Sequence, residues 1–396
     1  MQPPLHVLTL TPFFPFAANP VYGTYVSDPI TQFAKFGLRS TVIGVSPLHH
    51  KRRQPMPSAP VQWMRYPTFP GNAGLTTAGF FLYRRLVRFA QSLHQRDTVD
   101  VIHAHATLPC GHAAYLLAEK LNVPFVITVH GLDVFNACFE SGTRAAGRRA
   151  RLSTEVYRRA ASVICISHGI GRLLTSGMPD RVAGCVIYNG TDPEIFFPEE
   201  ATLPEGPRAN ATPTILIVGN LLHRKGHEIV FKAIAEIAPE FPDVQCSVIG
   251  EGPDLGRFVG LARSLRIADR VSFLGRRDRK SVAMAMRECT VFALPSSFEG
   301  LGCVYLEAMA SGKPVIACEG QGIAEIIEHR QNGWLIPVDA VAAMVDALRQ
   351  LLGSAGLRAQ LGENARRTIL SGLTLSDQAR QLADLYRAVT KRNVKQ

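Results

Sequence analysis

The sequence is poor in the features that assign a protein quickly. It has no run of eighteen apolar residues, so no segment reads as a membrane-spanning helix. Its N-terminus, Met1-Gln2-Pro3-Pro4, has no basic stretch leading into a long apolar one, so no secretory signal is evident. Eight cysteines are present, none closer than 14 positions to the next, which excludes a C-x-x-C pair for zinc or redox work. Several sit in apolar runs, such as Cys165 in Val163–Ile166, so reduced, buried cysteines of a cytoplasmic protein are expected. Asp-x-Asp occurs nowhere, which removes the usual divalent clamp for a nucleotide diphosphate. The glycine loop Gly250-Glu251-Gly252-Pro253-Asp254-Leu255-Gly256 has its third glycine displaced by one position from a dinucleotide fingerprint. Ser311-Gly312-Lys313-Pro314 is not a P-loop, because proline stands where a hydroxyl residue is needed.

What is present is a globular composition, 46% hydrophobic and 19% charged over 396 residues, enough for two cores. Basic residues outnumber acidic ones, 43 to 32. The excess is uneven: residues 1–195 carry 19 Lys/Arg against 10 Asp/Glu, the remainder 24 against 22. The first half is therefore expected to face an anionic partner.

Short apolar runs alternate with helical patterns through both halves. The first-half strands are expected at His6–Leu10, Ser40–Gly44, Val99–His103, Phe125–Val129, Ser162–Ile166 and Cys185–Tyr188. Helices are expected at Phe80–Leu93, Gly111–Leu121 and Arg151–Ala160. Runs that are apolar end to end, rather than alternating, belong to parallel strands covered on both faces. A Pro-rich stretch from Pro198 to Pro213 reads as a linker. The alternation then restarts at Thr214–Val218 and runs to Trp334–Ile336. Two βα series imply an α/β protein of two doubly wound, Rossmann-like domains, residues 1–197 and 198–374, with a cleft between them. A terminal amphipathic helix over Ser376–Val389, with Ser376 as its N-cap, completes the chain.

The chemistry is expected at the carboxyl ends of these strands. Gly219 to Gly226 reads G-N-L-L-H-R-K-G, with Asn220 second, and delivers Arg224 and Lys225 to the sheet edge, where adjacent cations suit a diphosphate. Ser296 to Pro314 places Glu299 before a Gly-Leu-Gly turn and Glu307 two turns into a helix. Glu299 is expected in the cleft. Glu307 is expected deeper, accepting from vicinal hydroxyls. His103-Ala104-His105 closes one strand and His130-Gly131-Leu132-Asp133 the next, and a histidine there can donate to a sugar hydroxyl or steady developing charge. Metal binding at these histidines has no helical partner motif to support it.

In this order the motifs resemble the retaining glycosyltransferases of family 4, with the GT-B fold, over nearly the whole chain. The strongest part is P-S-S-F-E-G-L-G-x-x-x-L-E-A-M-A-S-G-K-P-V-I-A, containing Glu299 and Glu307. V-G-x-L-x-x-R-K-G-H, V-I-G-E-G-P around Gly250, T-V-H-G-L-D, I-S-H-G-I and N-G-T-D-x-x-x-F accompany it. The resemblance implies a nucleotide-sugar donor held mainly by the second domain, with no metal or other cofactor. Arg224 and Lys225 then contact the diphosphate, alongside Gly219, Asn220 and Gly250. Glu299 holds the donor sugar, the amides of Leu301, Gly302 and Cys303 line sugar and phosphates, and Glu307 binds the ribose. From the first domain His130 contacts the donor sugar and Gly23 approaches the phosphates. His103, His105 and Asp133 are placed at the acceptor. The family often has Arg where Asn220 stands, and Gly-Gly where Tyr22 precedes Gly23. The terminal helix is expected to return to the first domain.

Two other classes fit less. An NAD-dependent oxidoreductase of two Rossmann-like domains needs the fingerprint that the displaced glycine spoils. A nucleic-acid-binding protein is motivated only by charge, and clusters such as His49–Arg53 read as solvated loops. The acceptor is expected to be a glycan or a lipid-linked molecule. Phe80–Arg96 sets Phe81, Leu82, Leu86, Phe89 and Leu93 against Arg84, Arg85, Arg88 and Arg96. Such a helix fits either a core-facing element or one resting on an anionic leaflet, with the protein peripheral on the inner face of the cytoplasmic membrane.

Overall fold

The computed structural model describes residues 3–56, 61–71, 74–131, 144–176, 184–198 and 212–393. The chain divides into two compact units, residues 1–189 with 375–396, and residues 190–374.

The first unit is built on seven parallel strands: β1 (Leu5–Thr11), β2 (Leu38–Pro47), β3 (Gln62–Tyr66), β4 (Val101–His105), β5 (Phe125–Val129), β6 (Ser162–Cys165) and β7 (Gly184–Val186). They lie in the order β3-β2-β1-β4-β5-β6-β7. β4 and β5 are buried at every position, which is why their sequences carry no alternation. Helices Thr24–Thr31, Leu75–Arg96, His112–Leu121, Arg144–Arg159 and His168–Ser176 connect them.

The terminal helix, Leu375–Asn393, belongs to this unit. Its Ala379, Leu382, Ala383, Tyr386 and Val389 join Val7, Phe33, Val101, Val126 and Ile164 in one buried cluster. Apolar positions at helical spacing bring it back across the whole intervening chain. The helix begins at Leu375, so Ser376 lies in its first turn and does not cap it.

The second unit has six parallel strands: β8 (Thr214–Val218), β9 (Gln245–Ile249), β10 (Val271–Gly275), β11 (Val291–Ala293), β12 (Val315–Cys318) and β13 (Trp334–Ile336), ordered β10-β9-β8-β11-β12-β13. Residues 190–197, expected with the first domain, group with this unit. The Thr191 N–H donates to Leu373 O (3.0 Å), Phe196 is fully buried, and Arg287 lies over the Phe197 ring. Most of the linker expected over 198–213 falls outside the described residues.

Four elements were not read from the sequence. β3 is a five-residue edge strand, and the helices Thr24–Thr31, His168–Ser176 and Ala355–Leu370 complete the layers. In each sheet the strand order reverses once, between β1 and β4 and between β8 and β11. Those reversals leave a crevice at the carboxyl edge where ligands of such sheets bind.

Candidate active site

The second unit's crevice is walled by the loops leaving β8 and β11. β8 is buried at Ile215, Leu216 and Ile217, and the chain leaves it at Gly219, whose N–H donates to Ile249 O (2.9 Å). His223–Lys225 then make one 3-10 turn, closed by the Gly226 N–H on His223 O (3.1 Å). Gly226 sits at φ +74, and a Cβ there would collide with the Pro295 carbonyl oxygen. No other residue satisfies both conditions. From Gly226 the helix His227–Ile237 departs. The two loops are tied together, because the Ser297 N–H and Oγ both donate to Arg224 O (2.8 and 3.3 Å).

That tie presents Lys225 to Glu299. The Lys225 ammonium is ion-paired with the Glu299 carboxylate, and the two side chains are only 15% and 13% exposed. Ser296 Oγ donates to Glu299 Oε1 (3.3 Å). The Glu299 N–H donates to Gln321 Oε1 (2.9 Å), from the loop after β12. Beyond Glu299, Gly302 at φ +85 starts the helix Cys303–Ala310 without a side-chain cap. A Cβ on Gly302 would lie 2.5 Å from the Tyr305 ring. Tyr305 is buried and donates to Leu294 O (2.6 Å), and burial holds its hydroxyl well above the ordinary tyrosine range, so it stays a donor. The turn therefore offers backbone N–H groups at a helix start beside a lysine, an arrangement that accepts an anion. Glu307 lies half-buried further along the helix, between buried Leu306 and Ala308.

Gly250 and its loop have a packing role. Gly250 stands at φ +145 against the Gly219 carbonyl, and Gly252 against Leu221. The Leu221 N–H donates to Glu251 O (3.0 Å) and the His223 N–H to Asp254 Oδ2 (2.6 Å). This glycine loop is spent on bracing the loop after β8. Asn220 is exposed and Arg224 half-buried.

In the first unit, Gly23 (φ +72) packs against the Phe13 backbone at the start of the helix Thr24–Thr31, where a Cβ would collide. His103 and His105 share one face of β4, and His105 meets His130, the residue after β5. His105 Nδ1 and His130 Nε2 are 3.0 Å apart, their rings stacked at 17°. Phe13 and Tyr25 pack on the His130 ring, at 5.7 and 4.8 Å between centroids. Burial lowers His103 and His130 to about 3 and His105 well below its ordinary value, so all three are neutral imidazoles near pH 7.

This corrects one expectation. His103 is not available to an acceptor: it is 2% exposed, its Nδ1 lies 2.7 Å from the Tyr386 hydroxyl and its Nε2 2.7 Å from Thr128 Oγ1. The cavity that His103, His105 and His130 line is about 20 Å³, the size of a water molecule, not a sugar. Asp133 lies outside the described residues. The structure also corrects the face assigned to Phe81. In the helix Leu75–Arg96, Leu82 and Leu86 are buried, whereas Phe81 is exposed with Phe80.

Sequence reasoning missed Gln321 and Ser296, which hold Glu299 in place. The carboxyl ends of β11, for Ser296, and β12, for Gln321, were their signals: any polar residue leaving a central strand beside the switch point is a candidate. Among the described residues, no three His, Cys, Asp or Glu side chains converge on a metal-sized site.

Known proteins resemble this chain over most of its length. Residues 23–195 match the family described as Glycosyltransferase Family 4, and residues 199–368 the family described as Glycosyl transferases group 1. A D-inositol 3-phosphate glycosyltransferase of Corynebacterium diphtheriae is 31% identical over 294 residues, 70% of this chain and 67% of that protein. An N-acetyl-alpha-D-glucosaminyl L-malate synthase of Bacillus anthracis is 29% identical over 279 residues, 69% of this chain and 71% of that one. Among solved structures, a sucrose-phosphate synthase of Thermosynechococcus elongatus superposes with a TM-score of 0.78 at 22% identity, covering 98% of this chain and all of that one. The Anabaena protein HepE, solved in complex with UDP, gives 0.74 at 19% identity, covering 97% and 100%. At such identities the structures speak for the fold.

Proposed function

The chain belongs to the family 4, group 1 glycosyltransferases, and from that premise we propose that it moves a sugar from a nucleotide-diphosphate sugar to an acceptor hydroxyl with retention of anomeric configuration. The observation that carries the proposal is the Lys225–Glu299 pair beside the uncapped helix start at the β8/β11 reversal. A diphosphate entering there takes the Lys225 ammonium from Glu299 and accepts from the backbone N–H groups of Leu301, Gly302 and Cys303. The released Glu299 carboxylate then accepts from hydroxyls of the donor sugar, and Glu307 from those of the ribose. Arg224 adds charge as the bond from the anomeric carbon to the phosphate oxygen breaks. The acceptor oxygen forms its bond on the face that the phosphate leaves. Its proton passes to the leaving phosphate, so no protein base is assigned. Positioning and stabilisation of the diphosphate carry the rate.

The cations Arg224 and Lys225 do the work a divalent ion does elsewhere, and activity is expected to survive EDTA. Complete loss, restored by magnesium or manganese, refutes this. Glu299→Ala and Lys225→Ala are each expected to cut turnover by at least about a hundredfold with the fold intact, since a charge-stabilising contact in a closed site is worth a few kcal/mol. Near-normal turnover in both purified variants sinks the site assignment.

The acceptor side of the proposal is a glycan or lipid-linked acceptor reached at the inner face of the cytoplasmic membrane. Among the described residues no helix is long and apolar enough to cross a membrane. Phe69, Phe80 and Phe81 are 75%, 48% and 38% exposed, and Arg84, Arg85 and Arg88 are exposed beside them on the Leu75–Arg96 helix. Aromatic rings flanked by arginines suit an anionic leaflet, with about 1 kcal/mol from each basic residue. Wild-type protein should sediment with anionic vesicles at low salt and stay in the supernatant at high salt. Absence of sedimentation at low salt refutes the docking, and a soluble acceptor replaces it.

A further inference from the structure

We propose that Gln321 is a second reader of the donor sugar: its side-chain amide nitrogen donates to a hydroxyl oxygen of the sugar, next to the hydroxyl that Glu299 takes. This rests on the nucleotide-sugar reading above and adds to it a residue that sets which sugar is accepted.

The loop after β12 is fastened to Glu299 on both sides of that residue. β12 is buried at every position and pairs in parallel with β11, so the loops leaving the two strands lie side by side at the carboxyl edge. The chain turns at Gly320, φ +72, and Gln321 in extended conformation opens the 3-10 turn Gly322–Glu325. Gln321 Oε1 accepts from the Glu299 N–H (2.9 Å), and the Gly322 N–H donates to Glu299 O (3.1 Å). A Cβ on Gly322 would lie 1.9 Å from the Gly300 carbonyl oxygen, so the turn packs directly on the backbone that follows Glu299. Both backbone polar groups of Glu299 are thus held by consecutive residues of one turn. The Gln321 side chain has a fixed place relative to Glu299 before any ligand arrives.

The same bond decides which arm of the amide is which. A backbone N–H only donates, so the arm that meets Glu299 is the oxygen, and the NH2 group occupies the other arm. Gln321 is half-buried, and its Nε2 is open to solvent and makes no hydrogen bond among the described residues. The hydroxyls nearby are already spent: Ser296 Oγ donates to Glu299 Oε1 (3.3 Å) and Ser297 Oγ to Arg224 O (3.3 Å). A clip for Glu299 needs only an acceptor, and a carboxylate would serve it equally. What glutamine adds over glutamate is the donor.

Glu299 and Gln321 then offer complementary halves to a pair of hydroxyls. The carboxylate only accepts and takes the proton of one hydroxyl. The amide nitrogen only donates and meets a lone pair of the next oxygen. A sugar bearing both hydroxyls satisfies both residues. A sugar that lacks the second leaves Nε2 covered by ligand and unpaired, which is how a polar site rejects an analogue missing one group.

Full-length protein is titrated calorimetrically with UDP, GDP, UDP-glucose, UDP-galactose, UDP-N-acetylglucosamine and GDP-mannose, and then with monodeoxy forms of the sugar nucleotide it binds best. In Gln321→Met that sugar nucleotide should bind about five- to tenfold more weakly, while the bare nucleotide keeps its affinity within about twofold. Gln321→Glu keeps an oxygen for the Glu299 N–H and loses the donor. Its charge weakens both ligands, so the quantity to read is the ratio of sugar-nucleotide to bare-nucleotide affinity, which should fall as it does in Gln321→Met. Removing one particular hydroxyl should cost the wild-type protein about five- to tenfold and Gln321→Met nothing further. A ratio restored by Gln321→Glu, equal losses for both ligands in Gln321→Met, or deoxygenation costs that are the same with and without the glutamine overturn the proposal and leave Gln321 a clip for Glu299. So does a wild-type protein whose nucleotide affinity no sugar improves. In each of those cases the donor reading stands on nucleotide binding, whereas wild-type protein that binds no nucleotide overturns the donor reading and this inference with it. If Gln321→Met fails to fold, Gln321→Glu, which retains the clip, decides by the same ratio.

Discussion

Glu299→Gln and Lys225→Gln should move nucleoside-diphosphate affinity in opposite directions. In the structure each holds the other's charge, and a diphosphate has to compete with Glu299 for the Lys225 ammonium. Two charges in contact at an effective dielectric near 20 attract by about 4 kcal/mol. Desolvation of both groups offsets most of that, and the Ser296 hydroxyl also holds the carboxylate, so about 1 kcal/mol is a fair net value. Removing the negative partner releases that amount to the ligand, and diphosphate affinity should rise about fivefold. Removing the cation loses a charge-assisted bond, about 1.5–3 kcal/mol, and affinity should fall about tenfold to a hundredfold.

Calorimetry with UDP or GDP, whichever the wild-type protein binds, measures both. Turnover should fall in both variants, because Glu299 is needed by the sugar that the bare diphosphate lacks. High salt should shrink both affinity effects by less than an exposed pair would show, since the two side chains are largely buried. If Glu299→Gln weakens diphosphate binding as much as Lys225→Gln does, then Glu299 organises the loop and does not compete for the ammonium, and the reasoning fails.

Gly226→Ala should cost about 3 kcal/mol or more, from the left-handed backbone and the collision with Pro295, and lower the melting temperature by several degrees; a thermal melt checks it. Tyr386→Phe leaves His103 Nδ1 buried without its 2.7 Å partner, so urea unfolding should report about 1–3 kcal/mol lost while UDP affinity is unchanged. Acid should destabilise the protein through buried histidines: burial lowers His227 to about 4 and His103 to about 3. The unfolded chain binds these protons near pH 6.5 and the folded one does not, so stability complete above that value is lost as pH falls, by about 1.4 kcal/mol per pH unit for each such histidine. Urea melts at stepped pH measure this slope, and a flat profile below pH 6.5 refutes it.

The two sheets were legible in the sequence because their strands are buried on both faces. Phe125–Val129, Thr214–Val218 and Trp334–Ile336 have the bounds that their apolar runs predict. β3 was not legible, because an edge strand has one exposed side: Gln62 and Arg65 interrupt Trp63, Met64 and Tyr66. The helix Ala355–Leu370 hid for a similar reason. It buries only a thin stripe, Leu361, Ala365 and Ile369 among its larger apolar contacts, beneath a polar surface. The division between units was displaced by composition. The Pro-rich stretch looked like the join, yet Thr191 and Phe196 had already been taken into the second unit by contacts with residues far along the chain.

The neighbourhood of Lys225 and Glu299 was readable because glycine and charge mark it locally. Gly226 and Gly302 bracket turns that only glycine allows, and the charged residues stand next to them in sequence. The histidines of the first unit show where such reading stops. A polar residue at the end of a buried strand is placed correctly by its pattern, but whether it has anything left to offer depends on partners the pattern does not contain. His103 is satisfied by Thr128, 25 positions away, and by Tyr386, 283 positions away. The same argument runs in reverse for Arg53 and Trp63. Each looks unremarkable in its own stretch, and only the pairing of β2 with β3 lays the Trp63 indole where the Arg53 guanidinium closes over it. A motif therefore locates a strand end, whereas the partners met there decide what a side chain has left to offer.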